Sequence, residues 1–180
     1  MERNVEIKAR IESLDSILPV VAALAESAPS EIVQDDTFFS CPHGRLKLRV
    51  FSETDGELIF YQRPDIAGPK ESSYIVSPTH SPGRLREALS LAFGQVGRVR
   101  KHRRVFLIGR TRIHLDRVEG LGEFLEIEVV LSQGEPVQAG VAIARELLAK
   151  LGVSSRQLVN QAYVDLLERR KATRDSTPAD

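Results

Sequence analysis

Strict alternation of charged and apolar residues is the feature of this chain that most restricts its fold. Asn4, Glu6, Lys8 and Arg10 fall on one parity of residues 3–11, and Val5, Ile7, Ala9 and Ile11 on the other. The pattern returns with Arg45, Lys47 and Arg49 against Leu46, Leu48 and Val50, and with Arg112, His114 and Asp116 against Ile113 and Leu115. It returns again with Glu126 and Glu128 against Leu125, Ile127, Val129 and Leu131. Period two is the signature of an extended strand, whose successive side chains leave opposite faces. Each run is therefore a strand with one ionic and one apolar face.

An antiparallel sheet with one face on helices and the other in water alternates in the same way. Two rows point instead to ionic faces that converge on an enclosed space. Arg45, Lys47 and Arg49 repel one another on a shared face and call for an anionic partner. Glu126 and Glu128 sit side by side and call for a divalent cation or a facing arginine.

The rest of the chain supplies the other elements. A helix is expected over 16–25, with Ser16 as N-cap and Pro19 in the first turn. Strands follow at 32–39 and 45–51, and the turn Glu53-Thr54-Asp55-Gly56 leads into 57–63. After a Pro/Gly loop at 64–70 come a strand at 71–76 and a helix opened by Ser81-Pro82. Its buried stripe is expected to be Leu85, Ala88, Leu89, Ala92 and Phe93. Residues 99–108 and 110–118 form a hairpin around Gly109, and 124–131 is the last strand. Helices at 137–151 and 155–170 close the fold, with Leu158, Ala162 and Leu166 as core stripe, and 171–180 is a flexible polar tail. The fold class is α+β: a single domain over 1–170 with about eight strands curled around a polar interior and four helices on the apolar outside.

Composition removes several functions. Lys plus Arg and Asp plus Glu both number 25, so there is no net charge to favour nucleic acid. The basic run 98–104 divides by parity into inward Lys101 and Arg103 and outward Arg100, His102 and Arg104. No apolar run approaches the ~18 residues of a membrane span. The single cysteine, Cys41, has no flanking base, and with a strand pattern from the first residues it fits a reducing, cytoplasmic setting. His43, His80, His102 and His114 have no metal-ligand spacing, so no histidine metal site is expected; His114 shares the inward row and is expected to be structural.

Asn4-Val5-Glu6-Ile7-Lys8 resembles the E-x-E-x-K signature of the CYTH domain, the triphosphate tunnel metalloenzymes. The resemblance continues in family order through Gln34-Asp35-Asp36, Gly44-Arg45-Leu46-Lys47-Leu48-Arg49, Lys101-His102-Arg103, His114-Leu115-Asp116, the stretch 118–128 and Tyr163-Val164-Asp165. It implies an eight-stranded antiparallel tunnel binding a triphosphate and Mg2+ or Mn2+. By matching positions, Glu6, Glu126 and Glu128 would hold metal. Lys8, Lys47, Arg49, Lys101, Arg103 and Arg112 would hold phosphate, and Lys8, Arg49 and Asp116 would act in catalysis. Asn4 departs from the signature's first Glu, with Glu2 on the same face. In Gln62-Arg63-Pro64 the expected inward parity is that of Gln62, while the charge is that of Arg63.

Counting Lys8, Arg10, Arg45, Lys47, Arg49, Lys101, Arg103 and Arg112 against Glu6, Asp116, Glu126 and Glu128 gives the interior a surplus of about four positive charges, a match for a triphosphate. The resemblance then implies a class IV adenylate cyclase, a phosphorus–oxygen lyase converting ATP to cyclic AMP and pyrophosphate. A triphosphatase, a hydrolase acting on tripolyphosphate, thiamine triphosphate or a nucleoside triphosphate, is the alternative. A non-catalytic polyphosphate-binding module is a third reading, and a homodimer is compatible with each.

Overall fold

The computed structural model describes residues 1–66 and 68–175. Eight antiparallel strands form its centre: β1 (Glu2–Ile11), β2 (Ser30–Phe39), β3 (Arg45–Val50), β4 (Gly56–Gln62), β5 (Lys70–Thr79), β6 (Gln95–Ile108), β7 (Thr111–Val118) and β8 (Gly122–Val130). Their order around the ring is β1-β5-β4-β3-β2-β6-β7-β8, and β8 pairs back onto β1 from Asn4↔Val130 to Ile11↔Glu123. The barrel is closed, with its ionic faces inside.

Folding free energy comes from the outside of this barrel. Val5, Ile113, Ile127 and Val129 point outward, have no exposed surface, and lie with Leu115 and Leu125 beneath α1 (Leu14–Leu24) and α3 (Val137–Lys150). Each such buried aliphatic side chain contributes roughly 1.5–3 kcal/mol. Close approach of α3 depends on Gly140, where a Cβ would lie 2.7 Å from Val5 Cγ2 and 2.8 Å from Leu131 Cδ2.

Helix α1 begins two residues before the expected start, with Ser13 and not Ser16 at the N-cap, which places Pro19 inside the helix. The reason lies in β8: the Glu123 carboxylate accepts the Leu14 amide at 2.6 Å and satisfies the early turn from outside the helix. Helix α2 (Pro82–Phe93) starts at Ser81-Pro82 as expected, but its stripe is not buried. Leu85 and Leu89 are half-buried, Ala88, Ala92 and Phe93 are exposed, and neighbouring Leu91 is 84% exposed. Chiefly β2 and β3 lie beneath this helix, too narrow a floor to cover its apolar side.

The expected helix over 155–170 is instead three pieces. Ser154 and Gln157 bond reciprocally, Ser154 N–H to Gln157 Oε1 at 2.9 Å and Gln157 N–H to Ser154 O at 3.1 Å, around a 3-10 turn at Ser155–Gln157. A ninth strand, β9 (Leu158–Val159), then pairs with Lys8 and Ala9 on the edge of β1 that β5 leaves free beyond Glu6. Helix α4 (Tyr163–Asp175) begins only after that and runs past 170; the remainder of the expected tail, 176–180, lies outside the described residues. A Cβ on Gly97 of β6 would collide with Val164, so the glycine lets α4 settle against the barrel end. Ala162 and Tyr163 thereby join Phe38, Val99, Val118 and Phe124 in an apolar stopper across one mouth. The barrel is a cup.

Candidate active site

The cup encloses a cavity of about 410 Å³, within the range typical of small-molecule sites. All nine expected phosphate- and metal-binding residues (Glu6, Lys8, Lys47, Arg49, Lys101, Arg103, Arg112, Glu126 and Glu128) line it. Asp116 lies behind the lining, with no exposed surface.

Strand pairing builds an acidic wall. Glu6 on β1 faces Glu128 on β8 in register, and Glu126 lies between Lys8 and His114. Arg63 donates to Glu6 Oε1 at 2.8 Å, Arg112 pairs with Glu128 at 3.0 Å, and Arg103 donates to Glu126 Oε2 at 2.6 Å. Burial, followed by the charges of Glu126 and Glu128, pushes the Glu6 carboxyl above its usual range in spite of Arg63. Glu6 is thus crowded beyond what Arg63 relieves, whereas in spite of burial Lys8 holds Glu126 well below the usual range and nearby positive charge holds Glu128 below it. His114 is buried, and desolvation with nearby Arg103 holds its pKa down, leaving a neutral imidazole. Nδ1 of His114 and one oxygen each of Glu126 and Glu128 lie within 4.8 Å of one another.

The basic wall is organised by Asp36 of β2. It accepts from Lys47 at 2.9 Å and from Arg49 Nε and an Arg49 terminal nitrogen at 2.8 and 2.9 Å. Burial alone would raise its pKa, but Arg49 and Lys47 outweigh burial and hold it well below the carboxylate range. At the stopper, Arg103 and Lys101 converge on Asp116, at 2.6 and 3.4 Å, and the Tyr163 hydroxyl donates to the same carboxylate at 2.9 Å. The Lys8 ammonium lies 3.9 Å from the centre of the Tyr163 ring and donates to the Gln161 carbonyl at 3.3 Å.

Two residues of the expected lining lie elsewhere. Arg10 is exposed, stacks over Phe124 and donates to the Leu121 carbonyl at 2.8 Å. Arg45 pairs with Asp165 at 2.8 Å and Asp65 at 3.2 Å. Both have inward parity but lie at the end of the barrel that the stopper occupies. The lining also gains Asp36, Arg63 and Glu57, which sequence reasoning did not place there, and includes Glu2, expected on the face of Asn4. Arg63, not Gln62, points inward; Arg49↔Glu57 and Lys47↔Ile59 share the inward face, and that parity runs on through Tyr61 to Arg63. Seven bases (Lys8, Lys47, Arg49, Arg63, Lys101, Arg103 and Arg112) therefore face six acids (Glu2, Glu6, Asp36, Glu57, Glu126 and Glu128), and the expected surplus of four positive charges largely disappears. His114, expected on the inward row, lies there and is grouped with Glu126 and Glu128. Spacing along the chain cannot show this grouping, because its partners come from the neighbouring strand.

A closed antiparallel barrel with a paired ionic lining, stoppered at one end, defines a class of enclosed, charge-lined cups. Residues 2–163 match the CYTH domain, and the chain belongs to that family. Adenylate cyclase CyaB of Aeromonas hydrophila is 25% identical over 173 residues, covering 92% of this chain and 88% of the relative. Among solved structures, the Pyrococcus horikoshii OT3 protein PH1012 superposes with a TM-score of 0.79 at 23% identity, covering 93% of this chain and 99% of its own. The Hippeastrum protein HpAC1, whose structure is described as revealing a dominant triphosphatase activity, gives a TM-score of 0.64 at 16% identity, with 94% and 96% covered. Family and relatives support an enzyme. Among the described residues, no helix is long and apolar enough to cross a membrane.

Proposed function

We propose that the cup binds ATP together with a divalent cation, Mg2+ or Mn2+, and converts it to cyclic AMP and pyrophosphate. The observation that carries this reading is the division of the lining into a crowded acidic wall and facing basic rows. The residues fit a cation: Glu6, Glu126 and Glu128 supply hard oxygen donors, and two buried polar atoms near them, Asn4 Oδ1 and His114 Nδ1, have no hydrogen-bond partner. With bases and acids nearly balanced, a triphosphate of about four negative charges is better accommodated as its metal complex than alone. A bound divalent ion supplies Lewis-acid polarisation of phosphate oxygens.

The protein's own groups do the rest. Lys47, Arg49, Lys101, Arg103 and Arg112 grip phosphate oxygens, the arginines as planar forks and the lysines as compact charges. Lys8, between Glu126 and Tyr163, and Arg49 act on the reacting phosphates, and Asp116 is a positioning residue that fixes Arg103. In the reaction the ribose 3′-hydroxyl gives up its proton to solvent as its oxygen bonds to the α-phosphorus, the bond from that phosphorus to its bridging oxygen breaks, and pyrophosphate leaves with its charge held by the basic wall. A nucleoside is favoured over bare tripolyphosphate because Ile32, Phe51, Ile59, Val76 and Val105 also line the cavity, giving a base an apolar seat. The single free cysteine and an ATP substrate fit the cytoplasm.

Triphosphate hydrolysis is the second reading, favoured by the activity described for HpAC1 on the same fold. Incubation with ATP, tripolyphosphate and thiamine triphosphate, each with Mg2+ or Mn2+, separates the readings by product. Cyclic AMP with pyrophosphate is expected. Orthophosphate would select hydrolysis, and tight metal-dependent binding without turnover would reduce the cup to a binding module.

A further inference from the structure

His114 stands at the acidic wall with an unmet requirement. Its imidazole is 4% exposed, and Nδ1 lies 3.5 Å from Glu126 Oε2 and 3.8 Å from Glu128 Oε1. Both separations exceed the ~2.7–3.2 Å of a well-formed hydrogen bond, so Glu126 holds Nδ1 only weakly. A ring nitrogen and two carboxylate oxygens therefore face one another within 4.8 Å, the Glu126 oxygen also accepting from Arg103 at 2.6 Å.

The spacing suits an ion. Donor atoms about 2.1 Å from a common metal stand about 3.0 Å apart at right angles and about 4.2 Å apart when opposed. The two separations, 3.5 and 3.8 Å, fall between those limits. The donors are also rigidly held: His114 and Glu126 are direct register partners on β7 and β8, and Glu128 follows on the same face. Loop movement is not needed to assemble them.

We propose that His114 is a nitrogen ligand to the divalent ion and biases the site towards a first-row transition ion over Mg2+. Mg2+ takes oxygen ligands almost exclusively, whereas imidazole suits transition ions. The proposal rests on the reading of the cup as a metal-dependent triphosphate site and adds to it the donor that sets which metal is preferred. An orienting role for His114, bonded to Glu126 without touching metal, is the competing account.

Pulsed electron paramagnetic resonance on the whole protein loaded with Mn2+ decides between them. Echo modulation from a directly bound 14N nucleus is expected in the wild type and should vanish in His114→Gln. No other histidine lines the cavity among the described residues, so the signal has one source. The Mn2+-to-Mg2+ affinity ratio, measured by calorimetry, should fall at least the ~10-fold that loss of even an outer-shell metal partner costs. A wild-type Mn2+ signal with oxygen ligands alone would overturn the nitrogen ligand and leave the metal-dependent reading standing. Absence of any bound Mn2+ or Mg2+ in the wild type would overturn both. The wild-type spectrum decides even if the variant fails to fold.

Discussion

The two halves of the cavity are built from the same alternating strands and reach opposite electrostatic states. Beside the stopper, Asp116 receives both Arg103 contacts at 2.6 Å, the Tyr163 hydroxyl at 2.9 Å and Lys101 at 3.4 Å. The charge of Asp116 is answered there in full. Towards the open half, Glu6 and Glu128 each meet one arginine, Glu6 is pushed up by burial and its acidic neighbours, and His114 Nδ1 has no acid closer than Glu126 Oε2 at 3.5 Å. Buried charge is therefore not what distinguishes a site in this molecule. A shortage of partners is, because a completed network gains little from a ligand while an incomplete one gains the full value of the missing contact.

The sharpest way to break this contrast is Glu128→Gln. If the open half is completed by metal, the substitution removes an effect worth several kcal/mol, roughly 10³-fold in metal-dependent turnover. The fold should survive, since the substitution relieves Glu6 of an acidic neighbour and Arg112 is 37% exposed at its side chain. Thermal unfolding with and without Mn2+ gives a second reading. Wild-type protein should gain about 2.7 kcal/mol at a hundredfold excess over Kd, and the variant should gain none. An undiminished metal-induced shift in Glu128→Gln would show that the acidic wall is not the metal site.

The closed half should respond in the opposite manner. Asp116→Asn leaves Lys101 buried beside a neutral partner and Arg103 with Glu126 alone as its anion, and urea unfolding should report a loss of about 3 kcal/mol. Metal should still stabilise the variant as much as it does the wild type. If instead stability is kept and metal binding is lost, the two halves are one network and the distinction collapses.

Parity alone made most of the barrel legible, because a one-residue slip would put the whole ionic row on the outside. It tells which face a residue takes but not how far along the barrel the cavity extends. Arg10 and Arg45 have the inward parity of Lys8 and Lys47, yet Tyr163, far away in the chain, closes the space before reaching them. Arg63 was within reach of the same logic, since the turn after β3 fixes the register of β4 and with it the inward row. His114 was not, because its grouping with Glu126 and Glu128 is made by pairing across strands. The C-terminal segment misled for another reason. Leu158, Ala162 and Leu166 carry helical spacing, while an open edge on β1 draws Leu158 into a strand and delays the helix until Tyr163.

Lys101 lies where the halves meet and offers the finest test of the comparison. Burial, and after it the charge of Arg103, lowers its pKa to about 7. A lowered lysine pKa means that the ammonium is present below about 7 and lost above it, so its hold on phosphate is full on the acid side and fades as pH rises. A bound polyanion favours the charged form, so binding above pH 7 takes up a proton and weakens by up to about tenfold, or 1.4 kcal/mol, per pH unit. Arg49, whose pKa is raised because Asp36 outweighs its burial, adds no slope in this range. Calorimetric binding of a non-hydrolysable ATP analogue with Mg2+ from pH 6 to 9 should therefore fall more steeply for wild type than for Lys101→Met. The difference between the curves removes the ionisation of the analogue itself. Parallel curves would mean that Lys101 serves Asp116 alone and belongs wholly to the closed half.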